Sequence, residues 1–387
     1  MANNVTAIEL SASGIRLVVG YVQSGKVYVL QALQGERLPL DADGKISVKA
    51  SEESIELLFQ TAKTSLGDHF DFGPVIAVYP SDGFKGKEGE GSSLTVEKSN
   101  RITQLDYSNC VNIIQKEVKE DGYLAVCCAP FLFVYDSEVK RDFLPGQISE
   151  KLSVKADCML LEANDVRRYR KILNDIDIFP YLELVGVYAS LEFLLGTFVP
   201  DKFLFVGLEE DSCSFSLVEE RRLLFSQTDS FSLSRGVFDF AKRLSADEKT
   251  AREYVQLFGF VEDVSNIPYP IPAASSEKVA ASLLRECFSP LAKSLSEIAT
   301  GLNLDAQVPL VVYGPGTDIP GIEEYLSHVT GRDAYLVNNN TIGARDPVFI
   351  GCLGGIKASN QPYQLSHHEG RQMADDEIIR KTYFGRN

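Results

Sequence analysis

The strongest constraint in this sequence is a strand pattern that occurs twice. Thr6–Leu10 and Ile15–Val22 are β-branched and apolar, Ser11-Ala12-Ser13-Gly14 joins them, and Gly25 turns the chain into Val27–Ala32. The same order returns at Phe203–Gly207, Ser214–Val218 and Leu223–Ser226, with Glu219-Glu220-Arg221 as the second turn. A long-period duplication is the simplest reading, and a coincidence of two β-meanders is the alternative. Two halves need more than one core. The 387 residues, 44% apolar and 24% charged, hold enough apolar material for two or three domains.

After the first meander, Ser51–Ser65 has helical spacing at Ile55, Leu58, Phe59 and Ala62, and Val75–Tyr79 reads as a buried strand. A different block separates the halves. Lys85–Ser93 is rich in Gly and charge and predicts a mobile loop. Thr103–Lys119 predicts a helix with Thr103 as N-cap, Leu124–Tyr135 and Lys151–Leu161 predict strands, and Asn164–Asn174 a second helix. Beyond the second meander, Phe238–Phe258 and Ser276–Thr300 read as helices, with Pro268, Pro270 and Pro272 in the loop between them. Pro290 is expected to kink or divide the latter helix, because proline lacks the N–H of the helical ladder. Val308–Tyr313 is a strand running into Gly314-Pro315-Gly316-Thr317, and a helix is expected to start near Pro320. Pro347–Ile356 is an apolar, Gly-rich stretch.

Charge and motif content exclude several functions. A formal charge of −16 repels nucleic acid and opposes an anionic membrane surface unless one end of the chain is locally basic. No apolar run is long enough to span a membrane, and MANNVTAIEL is not a signal peptide, so a cytoplasmic protein is expected. Seven scattered cysteines without C-x-x-C suit a reducing compartment, with no metal or disulfide expected. No GxxxxGK[ST], GxSxG or HExxH occurs. Of the histidines His69, His328, His367 and His368, the adjacent pair lies in a polar tail and reads as solvated.

The order of these pieces resembles the actin/Hsp70-like ATPase superfamily, and within it the bacterial cell-division family FtsA. The stretches that carry the resemblance are Arg101–Asp106, Leu144-Pro145-Gly146 with Leu152-Ser153-Val154, Val187–Glu192, Tyr313–Gly321 and Asp346–Gly355. The pilus-assembly family PilM shares much of this order and is the rival. The resemblance implies an α/β, actin-like duplicated two-lobed fold of ribonuclease H-like subdomains, with an inserted α+β subdomain in the first lobe. It divides the chain into 1–82 and 158–200 (first lobe), 83–157 (insert), 201–340 (second lobe, outer subdomain 231–305), 341–360 (closing helix) and 361–387 (linker and tail).

In this superfamily ATP sits between the lobes, and each meander's first turn is a Gly-containing hairpin that brings backbone N–H groups to the phosphates. Nearby Asp residues organise magnesium and water. Here the family's Asp-x-Gly-Thr is similar to Glu9-Leu10-Ser11-Ala12, a mild change. Its Asp-x-Gly-Gly-Gly-Thr-Thr is similar to Gly207-Leu208-Glu209-Glu210-Asp211-Ser212-Cys213, where the acid has become Gly and three glycines have become acids. Carboxylates there repel phosphates by on the order of 4 kcal/mol per unscreened pair about 4 Å apart at an effective dielectric near 20. These acids read as a solvated loop, with a gathered cation as the lesser alternative. The family's Ala-Glu-x-x-Lys is similar to Ala251-Arg252-Glu253-Tyr254-Val255, and its next paired glycines to Arg235-Gly236. The adenosine turn keeps Gly314 and Gly316, which also suit a plain strand-to-helix turn.

The resemblance therefore implies a degenerate nucleotide cleft at Glu9, Ser11, Ser13, Gly314 and Gly316, binding ATP and magnesium weakly or not at all, and no enzyme activity. It implies recruitment of FtsZ-type filaments through the FtsZ C-terminal peptide, with Arg285 on the 281–286 helix start as the receiving cation. The family's later acid in that helix is similar to Phe288, a departure, and a solvated Arg285 is the alternative. Self-association into filaments is also implied. The short basic and apolar Ile378–Arg386 is either a membrane-surface anchor or a frayed terminus. A PilM-like adaptor and an active actin-like ATPase are the other functions carried forward.

Overall fold

The computed structural model describes residues 4–194, 200–261 and 277–360. The chain forms two compact units. The first contains described residues 4–194, 340–345 and 349–360, and the second 200–261, 277–339 and 346–348.

The first unit opens with β1 (Val5–Glu9), β2 (Arg16–Gln23) and β3 (Lys26–Gln34), followed by α1 (Val48–Leu66) and β4 (Val75–Tyr79). An insert follows: β5 (Lys85–Leu94), α2 (Gln104–Glu117), β6 (Tyr123–Tyr135), β7 (Glu138–Lys140) and β8 (Lys151–Glu162). The unit resumes with α3 (Ala163–Asn174), β9 (Leu182–Val185) and α4 (Gly186–Leu194). The second unit contains β10 (Lys202–Leu208), β11 (Cys213–Glu219), β12 (Arg222–Asp229), α5 (Leu233–Leu244), α6 (Glu248–Leu257), α7 (Glu277–Gly301), β13 (Leu310–Tyr313), α8 (Ile322–Thr330) and β14 (Ala334–Leu336). The chain then returns to the first unit with α9 (Ile350–Ala358).

The duplication is explicit in the sheets. The first has the order β3-β2-β1-β4-β9 and the second β12-β11-β10-β13-β14. In both, the first three strands pair antiparallel and the last two join in parallel. The central strands are buried on both faces (Ala7 and Ile8 in β1, Leu204 to Val206 in β10), which is why they read as unbroken apolar runs instead of alternating.

The insert has its own sheet, ordered β5-β8-β6-β7, with α2 packed across it over a core that includes Tyr107, Ile114, Phe133 and Val154. Thr103 caps α2 as expected: the Asp106 carboxylate accepts from the Thr103 backbone N–H and hydroxyl, both at 2.7 Å. The expected mobile loop at Lys85–Ser93 is instead strand β5, paired along its whole length from Lys85 opposite Leu160 to Leu94 opposite Lys151. Its glycines serve packing. A Cβ on Gly89 would lie 2.6 Å from Ile114 Cγ2 and 2.7 Å from Val118 Cγ1, so only glycine lets α2 settle on this strand.

Of three further expectations, the first is corrected and the other two are narrowed. Phe238–Phe258 is two helices: Ser245 at φ 54° ends α5, and the Asp247 carboxylate caps α6 by accepting from Thr250 N–H at 2.9 Å. Pro290 does not divide α7, because the Ser289 hydroxyl donates to the Glu286 carbonyl (2.8 Å) that the proline leaves without its helical N–H partner. Finally, α8 starts at Ile322 with Gly321 at φ 75° as its N-cap, so Pro320 precedes the helix. The tail at 361–387, with the His367-His368 pair and Ile378–Arg386, and the loop with Pro268, Pro270 and Pro272, lie outside the described residues. Among the described residues no helix is long and apolar enough to cross a membrane.

Candidate functional site

Glu9, Ser11 and Ser13 lie in the first unit, at the turn between β1 and β2. The antiparallel register sets Glu9, at the end of β1, directly opposite Arg16, at the start of β2. Arg16 is 1% exposed and its Nη1 donates to Glu9 Oε1 at 2.7 Å. Its Nη2 donates to Ser13 Oγ at 3.2 Å, and Ser13 Oγ lies 2.8 Å from Ser11 Oγ. Gly14, at φ 133°, completes the turn by donating its N–H to the Ser11 carbonyl. On the other side a Cβ on Gly351 of α9 would stand 2.6 Å from Glu9 Oε2, so this glycine makes room for the carboxylate. Burial raises the Glu9 carboxyl above its ordinary range, and the Arg16 guanidinium pulls it partly back. The acid of this turn therefore points into the protein, onto an arginine of its own hairpin.

The second unit has the same frame with different chemistry. Gly207 takes the register place of Glu9, Ser214 that of Arg16, and Tyr313 that of Val78. Tyr313 Oη and Ser214 Oγ are 3.0 Å apart, and the Tyr313 ring stacks on Phe205 with centroids 4.2 Å apart. A Cβ on Gly207 would lie 2.6 Å from Tyr313 Oη. An acidic side chain at 207 has no space, because the tyrosine hydroxyl fills it.

The acidic turn beyond Gly207 is solvated at Asp211 and partly covered at Glu209 and Glu210. Glu209 N–H donates to the Ser212 carbonyl (3.0 Å), and the Glu209 and Glu210 carbonyls accept from the Leu233 and Ser234 N–H groups that open α5. The Glu210 carboxylate accepts from Ser234 Oγ at 2.9 Å and from Arg252 Nη1 at 2.9 and 3.0 Å to its two oxygens. Both side chains are largely covered, 31% exposed for Arg252 and 24% for Glu210. Arg252 stands where the resemblance expects a glutamate, and Glu210 where it expects a glycine. The two departures meet each other. Among the described residues no group of three or more His, Cys, Asp or Glu is placed to hold a metal ion.

Gly314 and Gly316 lie in the second unit, after β13. Gly314 has φ 89°, and a Cβ there would lie 3.0 Å from Glu209 Oε1. A Cβ on Gly316 would press into the Leu208 side chain, 2.9 Å from Cδ1. Both glycines are needed by the turn itself. Arg285, on α7, donates to the Phe260 carbonyl at 3.4 Å, while its own carbonyl accepts from Tyr325 Oη at 3.3 Å. It helps fix the segment after α6 instead of standing free in solvent. The sequence did not single out Arg16, whose signal is a lone cation opening an apolar strand, and it marked Arg252 only as a departure and Tyr313 only as the start of the adenosine turn.

This geometry has clear relatives among solved structures. The chain is similar to the structure of a PilM–PilN type IV pilus biogenesis complex at 15% identity and a TM-score of 0.62, over 91% of this chain and 97% of that chain. It is also similar to the ethanolamine utilization protein EutJ from Carboxydothermus hydrogenoformans (11% identity, TM-score 0.53, 92% and 89% covered). MreB 5 of Spiroplasma citri bound to AMPPNP is similar over 92% of this chain and 95% of that chain, at 10% identity and a TM-score of 0.52. No family model matches the sequence. No curated protein matches it. The fold is that of the actin-like ATPases, α/β and duplicated.

Proposed function

We propose that this chain is an actin-fold assembly adaptor that works without turning over a nucleotide. The observation that carries this reading is the self-pairing of the two turns: Glu9 is held by Arg16, and Glu210 by Arg252 and Ser234. A magnesium nucleotide does not fit these residues as they stand. Its cation needs oxygen ligands, and the Glu9 carboxylate is already engaged by a buried guanidinium. Its phosphates need bare glycine backbone, and the second turn presents carboxylates. Calorimetry with ATP and magnesium tests the reading directly. No binding heat is expected; submicromolar binding would overturn the reading and reopen an actin-like ATPase, which a phosphate-release assay then decides.

The likeness to the structure of the PilM–PilN complex over nearly the whole of both chains supports a PilM-type adaptor for a pilus or secretion assembly. The FtsA-type reading, in which the chain receives the FtsZ C-terminal peptide at a membrane face, rests on the order of sequence segments and on Arg285. Titration with that peptide separates the two. Binding that Arg285→Ala weakens at least tenfold supports the FtsA type, no binding or equal binding by Arg285→Ala counts against that site, and co-purification of a pilus or secretion partner supports the PilM type.

A further inference from the structure

The nucleotide-free reading explains why phosphates are unwelcome at the second turn, but not why the turn is so firmly held. The Glu210 carboxylate is gripped by both a guanidinium and a hydroxyl in the geometry above. Ser234 holds the residue twice, by its hydroxyl to the carboxylate and by its N–H to the Glu210 carbonyl. Arg252 has a second acid nearby, Glu248, but its nearest oxygen is 3.7 Å from Nη2, outside hydrogen-bond range. The donors thus converge on one anionic group, which the chain supplies to itself.

We propose that Glu210 is a tethered anion: it occupies an oxyanion site made by Arg252 and the Ser234 hydroxyl, and so keeps phosphate-type ligands out. This deepens the nucleotide-free reading and rests on it. An arginine with an adjacent hydroxyl recognises a carboxylate oxygen and a phosphate oxygen by the same charge-assisted hydrogen bonds. The tether decides between them. A carboxylate carried inside the Glu209–Ser212 turn competes at an effective concentration of mM or more, so dilute free phosphate does not displace it. Removing the tethered charge while keeping the donors should therefore create an oxyanion site where the wild type has none.

The test uses the full chain as wild type, Glu210→Ala, Glu210→Gln and the double variant Glu210→Ala/Arg252→Ala. Melting midpoints are compared in chloride buffer, in about 10 mM inorganic phosphate, and in magnesium-free ATP at matched ionic strength. Both single variants are expected to melt below wild type in chloride and to recover roughly 2–4 °C in phosphate or ATP. Wild type and the double variant are expected not to respond. A response to ATP alone assigns the site to a nucleotide-borne phosphate, and a response to both assigns it to the phosphate group itself. Either result supports the tethered anion. Folded Glu210→Gln that ignores both ligands would overturn it and leave a plain ion pair, as would wild type responding as strongly as the variants. Glu210→Gln keeps the side-chain shape, so the test survives if Glu210→Ala does not fold. Failure of the nucleotide-free reading is seen on wild type with magnesium and ATP, and failure of this inference on the variants, so the two are distinguishable.

Discussion

Glu9 and Arg16 form the most enclosed ion pair of the first unit's hairpin, with side chains 13% and 2% exposed. Such a pair contributes little net stability when intact, but removing one partner strands the other charge and costs about 3–5 kcal/mol. Arg16→Ala is therefore expected to lower unfolding stability by that amount near neutral pH. The deficit should shrink as pH falls. Burial already raises the Glu9 carboxyl, and without Arg16 only the weaker Cys352 hydrogen bond pulls it back, so its folded value rises further above the unfolded one. A group raised in the folded state contributes its stability below its unfolded pKa and loses it as pH rises through the folded pKa. Urea titrations of wild type and variant at pH 5 and pH 8 check this, and an equal deficit at both would show that Glu9 is not the stranded charge. Position 9 was legible in the sequence as the acid ending a buried strand. Its partner was not, because the pairing depends on hairpin register, and Glu210 with Arg252 is harder still, since a loop acid and a helix arginine 42 residues apart meet only through the fold.

The elements show where local composition misleads. Strand β5 carries Gly86, Gly89 and Gly91 among alternating charges, which is loop chemistry by any local rule. It is a strand because β8 pairs with it throughout and because α2 lies so close that side chains at 89 and 91 are excluded. Tertiary approach overrode propensity. Gly89→Val is expected to destabilise the chain by about 1–3 kcal/mol through overpacking against Ile114 and Val118, even though valine is the better strand former. Urea denaturation gives the size of the loss. Hydrogen exchange should place the lost protection in β5 and α2, and a loss confined to other elements would contradict the packing argument. The leading meander strands, β1 and β10, were legible for the opposite reason: they lie at the centre of their sheets, where burial on both faces demands β-branched and apolar residues at successive positions.

For the whole molecule, the duplicated order of strands was legible, and the actin-like architecture was legible through the resemblance of the order of pieces to a known family. The dispersed cysteines report on how complete the cores are. All seven are free and buried. Burial pushes the Cys110 and Cys127 thiols up to about 12. A thiol-disulfide reagent such as Ellman's at pH 8 is expected to label none of the seven in the native chain within minutes, and all seven in urea. Stoichiometric native labelling at any of them would mean that its core opens readily. The placement of α9 has a further consequence. This helix packs its glycines against Glu9 and the Ala189 carbonyl in the first unit, yet it follows the entire second unit in the chain. During synthesis the first unit waits for its closing helix until residue 358 has left the ribosome, about 17–70 s after β1 at 5–20 residues per second. The second unit has all of its residues once Val348 has emerged, before α9 is made, so here the C-terminal half is the one free to finish first.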